Sequence, residues 1–148
     1  MLVQVRYLFD GHRPVLQPAT EGDVGIDLPC YEDIVVPPRG RADARTGVAL
    51  KLPDSAWGLV TARSSTFFRR NLLVIPGVID PGYTGEIYAF LVNMFEEEVR
   101  VQAGVSLAQL ILIPKASGSV RTVEVESFEE TARGSNGFGS TGDSGGVR

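Results

Sequence analysis

A chain of 148 residues, 43% hydrophobic and 22% charged, is long enough for one domain with its own core and has an ordinary globular balance. Its formal charge of −4 excludes a surface built for non-specific nucleic-acid binding, and no apolar run approaches the ~20 residues of a membrane span. A lone Cys30 forms no internal disulfide and fits a reducing compartment, while a lone His12 excludes a His-rich metal site.

The opening residues, MLVQVRYLFD, lack a charged leader followed by an apolar run, so no signal peptide is expected. Residues 2–8 alternate, with Val3, Val5 and Tyr7 on one face and Gln4 and Arg6 on the other, and read as a strand. Pro14, Pro18 and Glu21-Gly22 mark a loop before EGDVGIDLPC (21–30), which ends in a short apolar segment. Cys30, beside Pro29 and without a neighbouring His, reads as packing rather than as a nucleophile. Residues 34–36 form a brief strand stopped by Pro37-Pro38, and 48–52 and 57–61 alternate again across Pro53-Asp54-Ser55.

In ARSSTFFRR (62–70) the strand pattern breaks. Ser64 or Ser65 can cap a single helical turn that carries Phe67 and Phe68 inward. Backbone N–H groups and hydroxyls beside Arg63 then suit an anion, although a capped turn that binds nothing fits equally well.

The stretch PGVIDPGYTGEIYAFLVN (76–93) is the one around which the chain is organised. Pro81 fixes φ and Gly82 permits a positive φ, which predicts a tight turn between the arms 72–79 and 86–92 of a hairpin. The turn holds a carboxylate, Asp80, and an aromatic, Tyr83, a few residues apart on a rigid platform. From the residues alone Asp80 is either a turn former or an acid.

Residues 99–102 lead through Ala103-Gly104 into VSLAQLILI (105–113), where alternation places Val105, Leu107, Gln109, Ile111 and Ile113 in one row. Burying the Gln109 amide unpaired would cost ~1–3 kcal/mol, so it has a protein partner or faces a pocket. Residues 120–126 read as a last strand. From Arg133 onward, RGSNGFGSTGDSGGVR, six of sixteen residues are Gly, the composition of a flexible tail. Arg133, Phe138, Ser140 and Thr141 nevertheless supply a guanidinium, an aromatic plate and two hydroxyls, among backbone N–H groups left uncovered by glycines such as Gly139. That set can close over an aromatic, phosphorylated ligand. Roughly nine short strands predict an all-β domain over residues 1–132, a barrel or jelly roll, followed by a tail over 133–148.

Five segments, in order, resemble the five motifs of the trimeric dUTP diphosphatases (dUTPases): VGIDL (24–28), ARSS (62–65), GVIDPGYTGE (77–86), GVSLAQLI (104–111) and RGSNGFGSTG (133–142). The resemblance spans nearly the whole chain. The third and fifth motifs are specific by themselves, and the first two only in register with the others. It implies a distorted jelly roll assembled as a homotrimer, with sites shared between subunits and no nucleic-acid or membrane partner. It also implies a cytoplasmic enzyme, or one of the host cytoplasm if phage-encoded.

Carried over residue by residue, Asp80 is expected to be the general base and Tyr83 to lie under deoxyribose. Main-chain groups around Val78, Ile79 and Tyr88 are expected to read uracil. Arg63, Ser64, Ser65 and Gln109 would meet the phosphates. Phe138 would cover the base, Arg133, Gly139, Ser140 and Thr141 would close on the γ-phosphate, and Asp27 is the position linked with Mg²⁺ through water. Three departures stand out: Ser65 replaces the commoner Gly of the second motif, Pro81-Gly82 alters the stiffness of the hairpin turn, and the tail runs only six residues beyond Gly142. Two alternatives share the scaffold. A dCTP deaminase requires a Glu in the strand after the turn, where this chain has Phe90, and lacks a tail of this type. A regulatory interaction protein would keep the fold without needing the chemistry.

Overall fold

Ten short strands and one helix appear in the computed structural model, which describes residues 1–116, 118 and 120–132. In chain order they are β1 (Gln4–Tyr7), β2 (Gly25–Pro29), β3 (Ile34–Val36), β4 (Arg41–Lys51), β5 (Ala56–Ala62), α1 (Ser64–Arg70), β6 (Leu72–Ile75), β7 (Gly77–Ile79), β8 (Glu86–Asn93), β9 (Val99–Val101) and β10 (Ser106–Pro114). They form two four-stranded sheets, β1-β4-β8-β6 and β2-β10-β5-β7, with β3 and β9 as a separate pair; every pairing is antiparallel. The expected all-β, jelly-roll class is the one observed. The chain divides into two compact units, Met1–Ser117, which holds every strand of the described residues, and Gly118–Arg148.

Both four-stranded sheets feed one apolar cluster, in which Leu28, Val60, Leu107 and Leu110 of one meet Val48, Leu72, Ile87 and Leu91 of the other. The period-2 pleat explains the choice: along β8, Ile87, Ala89, Leu91 and Asn93 point inward while Tyr88 and Phe90 face out. Each buried Leu or Ile contributes about 1.5–3 kcal/mol. Asn93 is the polar member of that row, and its amide is fully used, donating to the carbonyls of Val36, Pro37 and Glu97 and accepting from the Phe95 N–H.

Four expectations from the sequence are corrected. The arms 72–79 and 86–92 are not one hairpin. Leu72–Ile75 pairs with β8, but Pro76 offers no N–H to continue that ladder, and Gly77–Ile79 crosses to pair with β5 in the other sheet. Phe67 and Phe68 are 43% and 83% exposed, and neither serine caps the helix. The residue that α1 buries is Thr66, whose hydroxyl donates to the Leu107 carbonyl at 2.6 Å.

The row through 105–113 is broken by a register shift between Ser106 and Ala108, so Leu107 joins Ala108 and Leu110 in the core while Gln109, Ile111 and Ile113 lie half-buried on the other face. Residues 120–126 form no strand, and Val120 and Val123 are 89% and 81% exposed. Alternation there supplies one apolar face, but a strand also needs a neighbour to satisfy its backbone, and none of the described strands provides one.

Candidate active site

The divided hairpin creates the first cavity. Because β6 stays with β8 while β7 leaves for β5, a slot of about 220 Å³ opens between β7 and β8, lined by Val60, Gly77, Val78, Ile79, Tyr83, Glu86, Tyr88 and Phe90. Tyr88 and Phe90 run parallel at 10° with ring centroids 6.2 Å apart and form an aromatic wall. At the mouth, residues Asp80 to Tyr83 make the expected tight turn, closed by the Tyr83 N–H donating to the Asp80 carbonyl at 3.0 Å. The Tyr83 ring folds back over Gly85, where any side chain would collide with it, and its hydroxyl donates to the Glu86 carbonyl at 2.7 Å. Asp80 itself is exposed.

Glu86 anchors the foot of β8. Its side chain is 7% exposed and receives Arg45 Nη2 at 2.7 Å, Arg45 Nε at 3.1 Å and the Gly47 N–H at 2.9 Å. Burial pushes this carboxyl up, but the Arg45 and Gly47 donors outweigh it and hold the group below the ordinary glutamate range.

A second cavity, of about 300 Å³, is lined by Ala19, Asp23, Val24, Gly25, Asp27, Arg63, Ser64 and Gln109. Arg63 stands just before α1 and joins three elements: Nε pairs with Asp27 Oδ1 at 2.7 Å, Nη1 donates to the Ser106 carbonyl at 3.1 Å, and its own carbonyl accepts the Thr66 N–H. Gln109 lies opposite Asp27 in the β2–β10 ladder and donates from Nε2 to the Ala62 carbonyl at 2.9 Å. The amide predicted to have a partner or face a pocket does both. Ser64 is exposed at the cavity wall and Ser65 half-buried behind it, outside the lining set. With helical backbone following Arg63, the N–H groups of Ser64 and Ser65 at the start of α1 have no intrahelical acceptor.

The structure thus brings Asp27, Arg63, Ser64 and Gln109 together in one recess, and Val78, Ile79, Tyr83 and Tyr88 in another. No residue lines both. Among the described residues no cluster of three His, Cys, Asp or Glu side chains could hold a metal unaided. Arg133, Phe138, Gly139, Ser140 and Thr141 lie outside the described residues. Cys30 is buried, and burial pushes its thiol up to about 11, which fits packing. Arg45, Gly25 and Glu86 were not singled out from sequence; Glu86 closes the GVIDPGYTGE motif and Gly25 sits inside VGIDL, so the signal for those two was proximity to the motifs. No helix of the described residues is long and apolar enough to cross a membrane.

An antiparallel jelly roll with an aromatic-walled slot and a separate polar recess of Arg, Asp, Ser and Gln defines a class of small β-proteins that can take a flat ring in the slot. Comparison with known proteins makes the assignment specific. The dUTPase family model matches residues 12–142, and the chain belongs to the dUTPase family, hydrolases of nucleotide metabolism. It is similar to the deoxyuridine 5'-triphosphate nucleotidohydrolase of Clostridium novyi, 39% identical over 126 residues covering 84% of this chain and 87% of the relative. The enzyme of the same name from Thermobifida fusca is 39% identical over 145 residues, covering 95% of this chain and 78% of the relative. Among solved structures, the Staphylococcus bacteriophage 80alpha dUTPase with dUpNHpp superposes with a TM-score of 0.84 at 27% identity, covering 95% of this chain and 98% of that one. A mutant dUTPase from phage phi11 of S. aureus, described with a structural Mg(II) ion, gives 0.76 at 25% identity, covering 86% of this chain and 100% of that one.

Proposed function

We propose that the protein hydrolyses dUTP to dUMP and pyrophosphate, removing dUTP from the nucleotide pool and supplying dUMP for dTTP synthesis. The observation that carries this reading is the slot between β7 and β8. It is bounded by a Tyr88–Phe90 wall on one side and by β7, which pairs with β5 and not with β8, on the other. Backbone edges that a closed hairpin would have spent on each other can instead present donors and acceptors to the rim of a pyrimidine. The main chain around Val78, Ile79 and Tyr88 reads uracil, and Tyr83 stacks under the sugar and leaves no room for a 2′-hydroxyl.

Asp80, exposed at the turn, takes a proton from a water that attacks the α-phosphorus in line. A bond forms between the water oxygen and phosphorus, the bond to the α–β bridging oxygen breaks, and pyrophosphate leaves with that electron pair. Arg63, Ser64, Ser65 and Gln109 orient the phosphates, and Arg133, Gly139, Ser140, Thr141 and Phe138 close over them and the base.

The recess lined by Asp27 sets two carboxylates, Asp23 and Asp27, against one guanidinium, Arg63, and so is no anion site by itself. That donor set fits Mg²⁺, which is held through one or two carboxylates, waters and substrate phosphates more often than in a protein-built cage. Asp27 would hold it through water. When bound, the ion neutralises phosphate charge.

The two cavities share no lining residue, which supports a homotrimer in which the slot of one protomer meets the Arg63 recess of another. Phe90 places a phenyl ring where a deaminase would need its acid, which favours diphosphate release over loss of ammonia. The test is incubation with dUTP, dCTP, dTTP and UTP plus Mg²⁺, with identification of products. Formation of dUMP and pyrophosphate from dUTP alone is expected; ammonia, or no turnover of dUTP, overturns the reading.

A further inference from the structure

The structure assigns Arg45 and Glu86 a positioning role: the pair fixes Tyr83, and through it the choice between deoxyribose and ribose. This rests on the dUTP reading above and adds to it Glu86, which lines the slot, and Arg45, which lines neither cavity.

The register of β4 against β8 carries the inference. Arg45 lies opposite Tyr88 and Ala49 opposite Glu86, so residues 46–48 of β4 face the single Ile87. Such a bulge leaves backbone groups without ladder partners. Here side chains complete it. The Thr46 hydroxyl donates to the Ile87 carbonyl at 2.6 Å and accepts the Val48 N–H, while the Gly47 N–H donates to Glu86 Oε1. Gly47 has φ +67, and a side chain there would collide with His12 and Phe9.

Glu86 is therefore attached at both ends. Its carboxylate is gripped by the Arg45 fork and the bulge, and its own carbonyl is the acceptor of the Tyr83 hydroxyl. Arg45 is itself held flat, its guanidinium carbon 4.6 Å from the centre of the Phe9 ring, which stacks on Tyr31 at 4.0 Å. A planar fork so restrained grips a carboxylate in a single orientation, which a flexible ammonium cannot do. The line Phe9–Arg45–Glu86–Tyr83 runs from the outside of β4 to the mouth of the slot. Tyr83 is 42% exposed, and its hydroxyl is tied to the Glu86 carbonyl. Loosening Glu86 lets the ring swing from the space where it would meet a 2′-hydroxyl.

The experiment uses Arg45→Met and Arg45→Lys in the full chain, with kcat/KM for dUTP and UTP measured in parallel. Tyrosine ring ¹³C NMR of the nucleotide-free protein accompanies it, with Tyr83→Phe assigning the resonance. Arg45→Met is expected to lower the dUTP/UTP ratio by roughly tenfold or more, as a misplaced orienting group does. The Tyr83 resonance should shift or broaden, and Arg45→Lys should recover part of both effects. In the Arg45→Met, Tyr83→Phe double variant the ratio should fall no further than with Tyr83→Phe alone. Equal losses toward both nucleotides, an unchanged ratio, or a ratio and resonance indifferent to Arg45 would overturn the assignment. If the wild type fails to hydrolyse dUTP, the functional reading falls, and the Tyr83 resonance alone decides whether Arg45 places the ring.

Discussion

Gly25 lies directly beneath the Gln109 side chain, so close that a methyl group at position 25 would overlap the amide oxygen. The two strands fix this approach, since Gly25 pairs with Ile111 and Asp27 with Gln109 in the same ladder. Gly25→Ala is compatible with extended backbone and costs the strand little. It must, however, push the amide off the Ala62 carbonyl. The expected outcome is a fall of roughly tenfold to a hundredfold in kcat/KM, as for other displaced positioning groups, with a thermal midpoint within a few degrees of the wild type. Adding Gln109→Ala to Gly25→Ala should cost nothing more, which steady-state kinetics of the pair will show.

Asp80→Asn keeps the shape of the turn, because the turn is closed by the Asp80 main-chain carbonyl and not by its carboxylate. The substitution removes the proposed base and should lower kcat by at least about a hundredfold, the usual contribution of a positioned general base. Binding of dUpNHpp, followed by calorimetry, should change little. Near wild-type turnover would remove Asp80 from the mechanism.

Glu86 makes a prediction about acid. Its folded-state carboxyl lies below the ordinary value, because the Arg45 and Gly47 donors outweigh the cost of burial. A depressed carboxyl stabilises the fold above its unfolded value, about 4.3 for Glu, and the contribution is lost as pH falls through the lower folded value. Glu86→Gln does not titrate. It should therefore be less stable than the wild type at neutral pH, and the gap should narrow steadily below about pH 4. Urea midpoints followed by Trp57 fluorescence across that range, at fixed protein concentration, measure it. A gap that stays constant down to about pH 2 would show that the pair contributes no pH-dependent stability.

What the sequence made legible follows from where the physics is local. The turn at Asp80 to Tyr83 was readable because Pro81 fixes φ locally and Gly82 brings no side chain into the turn, although Gly82 does not use the positive φ open to it. The five motif segments were readable because their residue types are unusual together. The opening of the hairpin was not, since Leu72 to Ile79 is one apolar run broken only by Pro76-Gly77; Pro76 ends the ladder with β8, but the edge of β5 decides where β7 goes. Nor was the first half of β4: RADARTG is polar and small, and Ala44 is buried only because β8 lies across it. Arg45 and Glu86 are far apart in sequence, and their meeting depends on the bulge at Gly47, which no periodicity announces. Phe67 and Phe68 misled for the opposite reason. Two aromatics in a short helix suggest a core face, yet Thr66 reaches the Leu107 carbonyl and turns that face outward.

The tail gives the last prediction. Every strand of the described residues lies within Met1–Ser117, so a chain ending at Ala132 should fold with an unchanged far-ultraviolet spectrum and the same oligomeric mass by light scattering. It should nevertheless lose most of its activity, because Arg133, Gly139, Ser140 and Thr141, proposed to meet the phosphates, go together with the Phe138 plate. Phe138→Ala alone removes one ring from a base. Such stacking is worth about 1–3 kcal/mol. That loss corresponds to roughly tenfold to a hundredfold in kcat/KM. If the segment closes on the nucleotide, dUpNHpp with Mg²⁺ should protect residues 133–148 from limited proteolysis, and the same analogue without the ion should protect them less. A light-scattering mass of one chain in a fully active preparation would contradict the shared site. Equal cleavage with and without the analogue, together with full turnover after truncation, would leave residues 133–148 outside the catalytic machinery, and the active site would then have to be complete within residues 1–132.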